Sequence, residues 1–139
     1  MEARGFRATP DGVVAMDSWI EGVGERWGVD DRTLFRARVC VSELASNIVE
    51  HGGVGPDAGD IVVELRHMKP GLEIEMSDPG AAFDPVAAPP IEPDNNGIGG
   101  RGLRVVRAYA LALSYRRQQD RNIITLQLAP AGGRAQPAS

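Results

Sequence analysis

Apolar residues recur every three or four positions in two stretches of the 139-residue chain. The first stretch predicts a helix from Pro10 to about Gly24. Its apolar face consists of Val13, Val14, Met16, Trp19, Ile20 and Val23. The second stretch predicts a helix that Asp30 or Asp31 can cap and that ends at the double glycine 52–53. Its core stripe consists of Leu34, Ala37, Val41, Leu44 or Ala45, and Ile48.

Several shorter segments alternate apolar and polar residues, which is typical of strands with one buried face. The expected elements are a strand at 4–9, a hairpin at 61–68 and 72–77, a helix at 103–110 and a final hairpin at 112–118 and 122–129. Residues 78–102 are rich in proline and glycine, so we expect little regular structure through most of that segment. Long loops of this kind inside a compact domain tend to be functional or disordered.

The composition indicates one globular domain over residues 1–130, followed by a flexible C-terminal tail at 131–139. Hydrophobic residues make up 42% of the chain, the net charge is −4 and the sequence pI is about 5.1. An acidic chain has no general attraction to nucleic acid or to an anionic membrane. No apolar run approaches the ~20 residues of a membrane span, and the N-terminus has no signal-peptide core. A soluble cytoplasmic protein is therefore expected.

The single cysteine, Cys40, excludes an intrachain disulfide and is expected to be a buried, inert thiol.

Polar residues interrupt the second helix near its end. Glu43 and Asn47 are four residues apart, so their side chains lie one above the other at the edge of the core stripe. A carboxylate there can take a proton from a hydroxyl or a water, and an amide oxygen one turn later can ligate a hard cation such as Mg²⁺. Taken alone, the pair is better explained as a solvated helix edge.

Two further features lie around the long loop. Asp78 stands where a strand ends and a Pro-Gly turn begins, so its carboxylate can accept hydrogen bonds from an amino group of a ligand, with Gly80 giving access to the backbone. Gly97, Gly99, Gly100 and Gly102 precede a helix whose first N–H groups can receive a phosphate. This loop matches neither the P-loop nor the dinucleotide-binding fingerprint.

The order of these features resembles the Bergerat ATP-binding fold of the GHKL superfamily, which includes gyrase, the Hsp90 chaperone, histidine kinases and mismatch-repair ATPases. Residues 43–51 resemble the N box, 78–85 the first glycine box and 99–103 the second. The chain is most similar to the small anti-sigma-factor serine/threonine kinases. The resemblance implies a histidine-kinase-like ATPase domain. Its fold is an α/β (α+β) two-layer sandwich in which helices cover one face of a mixed, mostly antiparallel sheet.

For the N box, the resemblance implies that Asn47 ligates the Mg²⁺ that bridges the phosphates of ATP. Glu43 is then the general base, acting on water in an ATPase and on a serine hydroxyl in a kinase. His51 either bonds near the Mg²⁺ site or only caps the helix.

For the nucleotide, the resemblance implies that Asp78 bonds the exocyclic amine of adenine, with Gly80 beside the ring. Thr125 supports the adenine through Asp78 or through a water. Residues 84–100 form the ATP lid. Arg101 either reaches the phosphates or points outward. The remaining nucleotide-binding positions are Phe83, Gly99, Gly100, Gly102 and Leu103.

The implied function is that of an anti-sigma factor and protein serine kinase. Such a protein binds a sigma factor as a homodimer and phosphorylates a STAS-type anti-sigma antagonist. Three alternatives remain at this point: an ATP-dependent partner switch that transfers no phosphate, a histidine-kinase catalytic domain, and an α/β domain whose motifs arose by chance. The chain departs from the family pattern at Ala82, where a second glycine is common. It also lacks an arginine at 96–98, where a cation beside the γ-phosphate would assist phosphoryl transfer.

Overall fold

A computed structural model describes residues 1–51, 60–68, 71–84 and 98–130, with the backbone alone for residues 51 and 98–103. These parts of the chain form five strands and three helices. In chain order they are β1 (Glu2–Phe6), α1 (Pro10–Trp27), α2 (Asp31–His51), β2 (Ile61–His67), β3 (Leu72–Asp78), α3 (Ile98–Tyr109), β4 (Ala112–Gln118) and β5 (Arg121–Leu128). The predicted order of helices and strands is confirmed.

The strands form one sheet in the order β1-β2-β3-β5-β4. All four pairings in the described part of the chain are antiparallel, so the parallel pair implied by a mixed sheet is not found there. Strands β2 and β3 form the predicted hairpin, and β4 and β5 form the second one. Because β5 inserts between β3 and β4, the register places Asp78 directly opposite Asn122.

One face of the sheet carries the core. Every second residue of the three central strands is buried, apart from His67 at the end of β2, which is the pattern of a sheet with helices on one side. The buried apolar residues of these strands are Ile61, Val63, Leu65, Leu72, Ile74, Met76, Ile124, Leu126 and Leu128. They join the apolar sides of the helices in a single cluster. The two-layer α+β class is therefore confirmed.

The first helix is longer than predicted. Thr9 caps it by accepting a hydrogen bond from the Gly12 N–H at 3.0 Å. The helix ends at Trp27 and is capped by Gly28, whose φ of 72° is readily adopted by glycine. Gly24, where we expected the end, lies inside the helix because α1 passes close to Leu34 there: a Cβ on Gly24 would lie 2.5 Å from the Leu34 Cδ1. The expected apolar face is also corrected at Val14, which is 66% exposed.

The second helix follows its prediction closely. Asp30 is the cap, since its carboxylate accepts from the Thr33 N–H at 3.0 Å. The predicted stripe is buried, with Ile48 partly buried at its end. Cys40 is fully buried, as expected, and burial raises the pKa of its thiol to about 12.

The third helix begins five residues before its predicted start, so the second glycine box lies in the first turns of α3 rather than before it. Glycine is a poor helix former, which explains the wrong boundary. Packing against α2 supports α3 from outside: Val106 is fully buried, and the Arg36 guanidinium lies 5.2 Å from the centre of the Tyr109 ring. The predicted tail at 131–139 and most of the predicted lid at 84–100 lie outside the described residues.

Candidate functional site

The polar edge of α2 lies beside the core without entering it. Glu43 and Asn47 are both partly buried, and they flank the fully covered pair Leu44 and Ala45. Helix α2 packs against α1 on one side and α3 on the other. The predicted general base and the predicted Mg²⁺ ligand are therefore carried by the helix that also contacts the helix of the second glycine box.

Asp78 is the buried carboxylate of the described chain. It is the last residue of β3, lies on the face that the helices cover, and is only 4% exposed. Its Oδ1 accepts hydrogen bonds from the Gly80 N–H at 2.8 Å and from the Asn122 Nδ2 at 3.2 Å. A buried carboxylate held through one oxygen by two donors presents an acceptor edge, which suits an amino group of a ligand.

Asn122 was missed by the sequence analysis. It is 5% exposed, and its Nδ2 donates to Asp78 and, at 2.8 Å, to the carbonyl oxygen of Ala81. Its Oδ1 accepts from the Phe83 N–H at 3.2 Å and the Tyr115 hydroxyl at 2.7 Å. One amide thus joins β3, β4, β5 and the turn after β3. The sequence does indicate its face: Asn122 lies two, four and six residues before apolar residues of β5, and this even spacing places its side chain on the core face.

Thr125 does not lie beside Asp78, so the predicted support of adenine through Asp78 has no counterpart in the structure, while support through a water stays a prediction. Thr125 pairs with Glu75 on β3 and with Ser114 on β4, and these residues all point to the face of the sheet opposite the core. Side chains alternate between the two faces along a strand, so residues 122 and 125 lie on different faces. The register instead brings Asn122 to the position beside Asp78.

The first glycine box leaves β3 as a fixed turn. Gly80 is buried beside Asp78, whereas Phe83 is 54% exposed and contacts the site through its backbone N–H. An exposed aromatic ring at the start of the loop is free to contact a ligand, but its side chain takes no part in the hydrogen bonds around Asp78. The residues that follow, 85–97, lie outside the described part of the chain.

The second glycine box supplies backbone groups. Because α3 begins at Ile98, the N–H groups of Gly99 and Gly100 belong to its first turn, where no intrahelical acceptor is available to them. Such a helix start favours an anion such as phosphate. The side chains of His51, Arg101 and Leu103 lie outside the described residues, so their predicted roles, and that of Gly102, remain predictions.

The amide of Asn47 suits a magnesium ion that is held mainly by a nucleotide. No group of three His, Cys, Asp or Glu side chains that could hold a metal ion occurs in the described residues. Mg²⁺ commonly takes one or two protein oxygens and completes its shell with phosphates and water, which suits the single amide of Asn47. Within the described chain, no helix has the length and hydrophobicity to span a membrane.

The chain is similar in sequence to known protein kinases. The chain is 34% identical to the serine/threonine-protein kinase BtrW of Bordetella bronchiseptica, in an alignment that covers 78% of this chain and 79% of BtrW. It is also 34% identical to the serine-protein kinase RsbW of Listeria monocytogenes, over only 47% of this chain and 41% of RsbW.

Among solved structures, a chain of the SiaB–SiaC complex from Pseudomonas aeruginosa superposes with a TM-score of 0.62. The match covers 94% of this chain and 89% of that chain, at 10% identity, and therefore supports the fold alone. The model of the histidine kinase-like ATPase domain matches residues 6–128. The predicted resemblance to GHKL kinases is thereby confirmed, and the chain belongs to the family of histidine kinase-like ATPase domains.

Proposed function

We propose that the protein is an ATP-dependent protein serine/threonine kinase and anti-sigma factor. It would bind a sigma factor and phosphorylate a STAS-type anti-sigma antagonist, in the cytoplasm and as a homodimer, without acting on nucleic acid or membranes. The family and the kinase BtrW support the nucleotide-dependent part of this proposal. The sigma factor and the antagonist come from the resemblance to anti-sigma-factor kinases described above.

The arrangement around Asp78 is the observation that carries the proposal. A carboxylate that is 4% exposed and held through Oδ1 keeps its acceptor edge in one orientation. A carboxylate accepts more than the two hydrogen bonds that Oδ1 receives, so its remaining acceptor capacity favours a ligand that brings an N–H group. The exocyclic amine of adenine is such a group.

The phosphoryl-transfer step follows from the polar edge of α2. Glu43 would accept the proton of the substrate serine hydroxyl as that oxygen bonds to the γ-phosphorus, and the bond from the γ-phosphorus to the bridging oxygen breaks to release ADP. Asn47 would hold the magnesium ion, which neutralises charge on the phosphates. The first N–H groups of α3 would bind phosphate oxygens.

Calorimetric titration with ADP and a non-hydrolysable ATP analogue, with and without Mg²⁺, tests nucleotide binding. We expect magnesium-dependent binding. We also expect Asp78→Asn to lower the affinity for ADP by at least about tenfold, because a hydrogen bond to a charged acceptor is lost. Asp120→Asn is the matched control, since Asp120 lies in the β4–β5 turn with a φ of 62° that asparagine also adopts. Absence of binding at millimolar nucleotide contradicts the proposal.

An ATP-dependent partner switch without phosphoryl transfer is the second candidate, favoured by the absence of an arginine at 96–98. Glu43→Gln separates the two functions. In a kinase this change keeps ADP affinity within a few-fold and removes transfer of labelled phosphate to a STAS-type antagonist, whereas Glu25→Gln on the exposed side of α1 changes neither. ADP binding without any phosphate transfer by the unmodified protein would favour the switch.

A further inference from the structure

The turn that follows β3 is held from the edge of the sheet. Arg117 lies on the edge strand β4, and its Nη1 donates to the Gly80 carbonyl oxygen at 2.8 Å and to the Asn122 Oδ1 at 3.1 Å. The Tyr115 hydroxyl and the Phe83 N–H reach the same Oδ1. Neither Arg117 nor Tyr115 belongs to any motif in the sequence, so this contact to the turn comes from outside the recognised boxes.

These donors fix the orientation of the Asn122 amide. Its Oδ1 faces three donors, and its Nδ2 faces only acceptors: the Asp78 Oδ1, the Ala81 carbonyl and, at 3.5 Å, the Gly80 carbonyl. A rotated amide would put NH₂ against the donors and oxygen against the Asp78 carboxylate. Asn122 therefore always offers Asp78 a donor, and Asp78 turns its remaining acceptor capacity away from β5.

We propose that Asn122 and Arg117 are positioning residues that make the site select 6-amino over 6-oxo purine nucleotides. This inference rests on the proposed function, because it requires that the base binds at Asp78. Asn122 holds the carboxylate in its acceptor orientation, and Arg117 holds the turn from Gly80 to Phe83 that borders it.

The selectivity follows from the acceptor character of the site. Adenine carries an amino group at position 6 and can donate to Asp78. Hypoxanthine carries an oxygen there, and two acceptors facing each other in a desolvated site repel. A carboxylate that can rotate escapes this repulsion, whereas one held by Asn122 cannot. Loss of the hydrogen bonds made by Asn122 and Arg117 should therefore weaken binding of the 6-amino nucleotide and leave binding of the 6-oxo nucleotide unchanged.

Calorimetric titration of the whole chain with ADP and with inosine diphosphate measures this selectivity. We expect the unmodified protein to bind ADP at least about tenfold more tightly than inosine diphosphate. Asn122→Ala should lower the affinity for ADP about tenfold, while the affinity for inosine diphosphate changes less than about twofold. An equal loss for both nucleotides would mean that Asn122 only supports the fold, and it would overturn the inference. An unchanged ratio of the ADP and inosine diphosphate affinities would also overturn the inference.

Arg117→Met tests the hydrogen bonds from Arg117 to the turn and to Asn122 without removing a buried side chain, since Arg117 is exposed. We expect the ratio of the two affinities to fall about threefold, as expected for one partly exposed hydrogen-bonding group. Arg116→Met is the matched control, because Arg116 lies on the opposite face of β4 beside Glu75 and should leave the ratio unchanged. If Asn122→Ala does not fold, an unchanged ratio in Arg117→Met overturns the inference. If the unmodified protein binds neither nucleotide, the proposed function itself fails.

Discussion

The two faces of the sheet are built from the same strands but carry different chemistry. The face under the helices is apolar along most of its length and ends in the hydrogen-bonded pair Asp78 and Asn122. The opposite face carries partly exposed ion pairs such as Arg66 with Glu73, and no described helix covers it. Position on a face, and not residue type alone, therefore decides which side chains belong to the site.

Truncation on the core face should have the largest effect on folding. Leu126→Ala removes a side chain that is 1% exposed, and we expect the free energy of unfolding to fall by about 2–5 kcal/mol. Its neighbour Gln127, which points to the other face, is the control, and Gln127→Ala should cost less than about 1 kcal/mol. Urea titrations of both variants measure the difference. Equal losses would contradict the assignment of faces.

Much of the fold was predictable because local rules and packing agree there. The stripe of α2 has helical spacing, and Asp30 is a cap of ordinary type, so its start and core side were predicted correctly. The end of α1 was wrong because Gly24 serves close packing against Leu34 rather than termination. Sequence cannot distinguish these two uses of glycine without knowing which helix lies opposite.

The position of Asp78 at the end of a strand was predictable from a motif, whereas the positions of its neighbours depend on the strand register. Asp78 was identified from its place before a Pro-Gly turn. Thr125 was selected because it matches a threonine of the family, although its side chain points to the face of β5 opposite the buried residues of that strand. The spacing of Asn122 indicates the core face, but its hydrogen bonds and those of Arg117 depend on the pairing of β5 with β3 and β4 and could not be predicted.

Alkaline pH should destabilise the helical layer above the core face. Burial raises the pKa of Cys40 from 9.0 to about 12; Glu43 adds to the shift and Arg36 opposes it. Above pH 9 the unfolded thiol loses its proton while the folded thiol keeps it, so the free energy of unfolding falls as pH rises from about 9 to about 12.

Comparison with Cys40→Ala isolates this contribution. The difference in unfolding free energy between the parent and Cys40→Ala should be constant below pH 8 and should decline above pH 9. The folded parent should also react slowly with iodoacetamide at pH 8, because the thiolate is the reactive form. Fast alkylation of the native protein at that pH would show that the thiol is not held in its neutral form.

Ion pairs on the opposite face should contribute little. The Arg66 side chain is 52% exposed and lies 3.3 Å from Glu73 and 3.4 Å from Glu64. Arg66→Met should therefore lower the free energy of unfolding by less than about 1 kcal/mol, and the loss should shrink in 1 M salt because exposed pairs are screened. A loss above about 2 kcal/mol that persists in salt would indicate that this face is covered in solution.

Thr125→Val should have the smallest effect and tests the corrected assignment. The change removes a hydroxyl on the face opposite Asp78 and keeps a β-branched side chain suited to a strand. We expect ADP affinity to stay within about twofold of the parent, because no hydrogen bond of the site is lost. Asn122→Ala on the same strand is the contrasting variant. A tenfold loss of ADP affinity in Thr125→Val, with the fold intact, would mean that the nucleotide or its waters reach the other face, and the site built around Asp78 and Asn122 would then be misplaced.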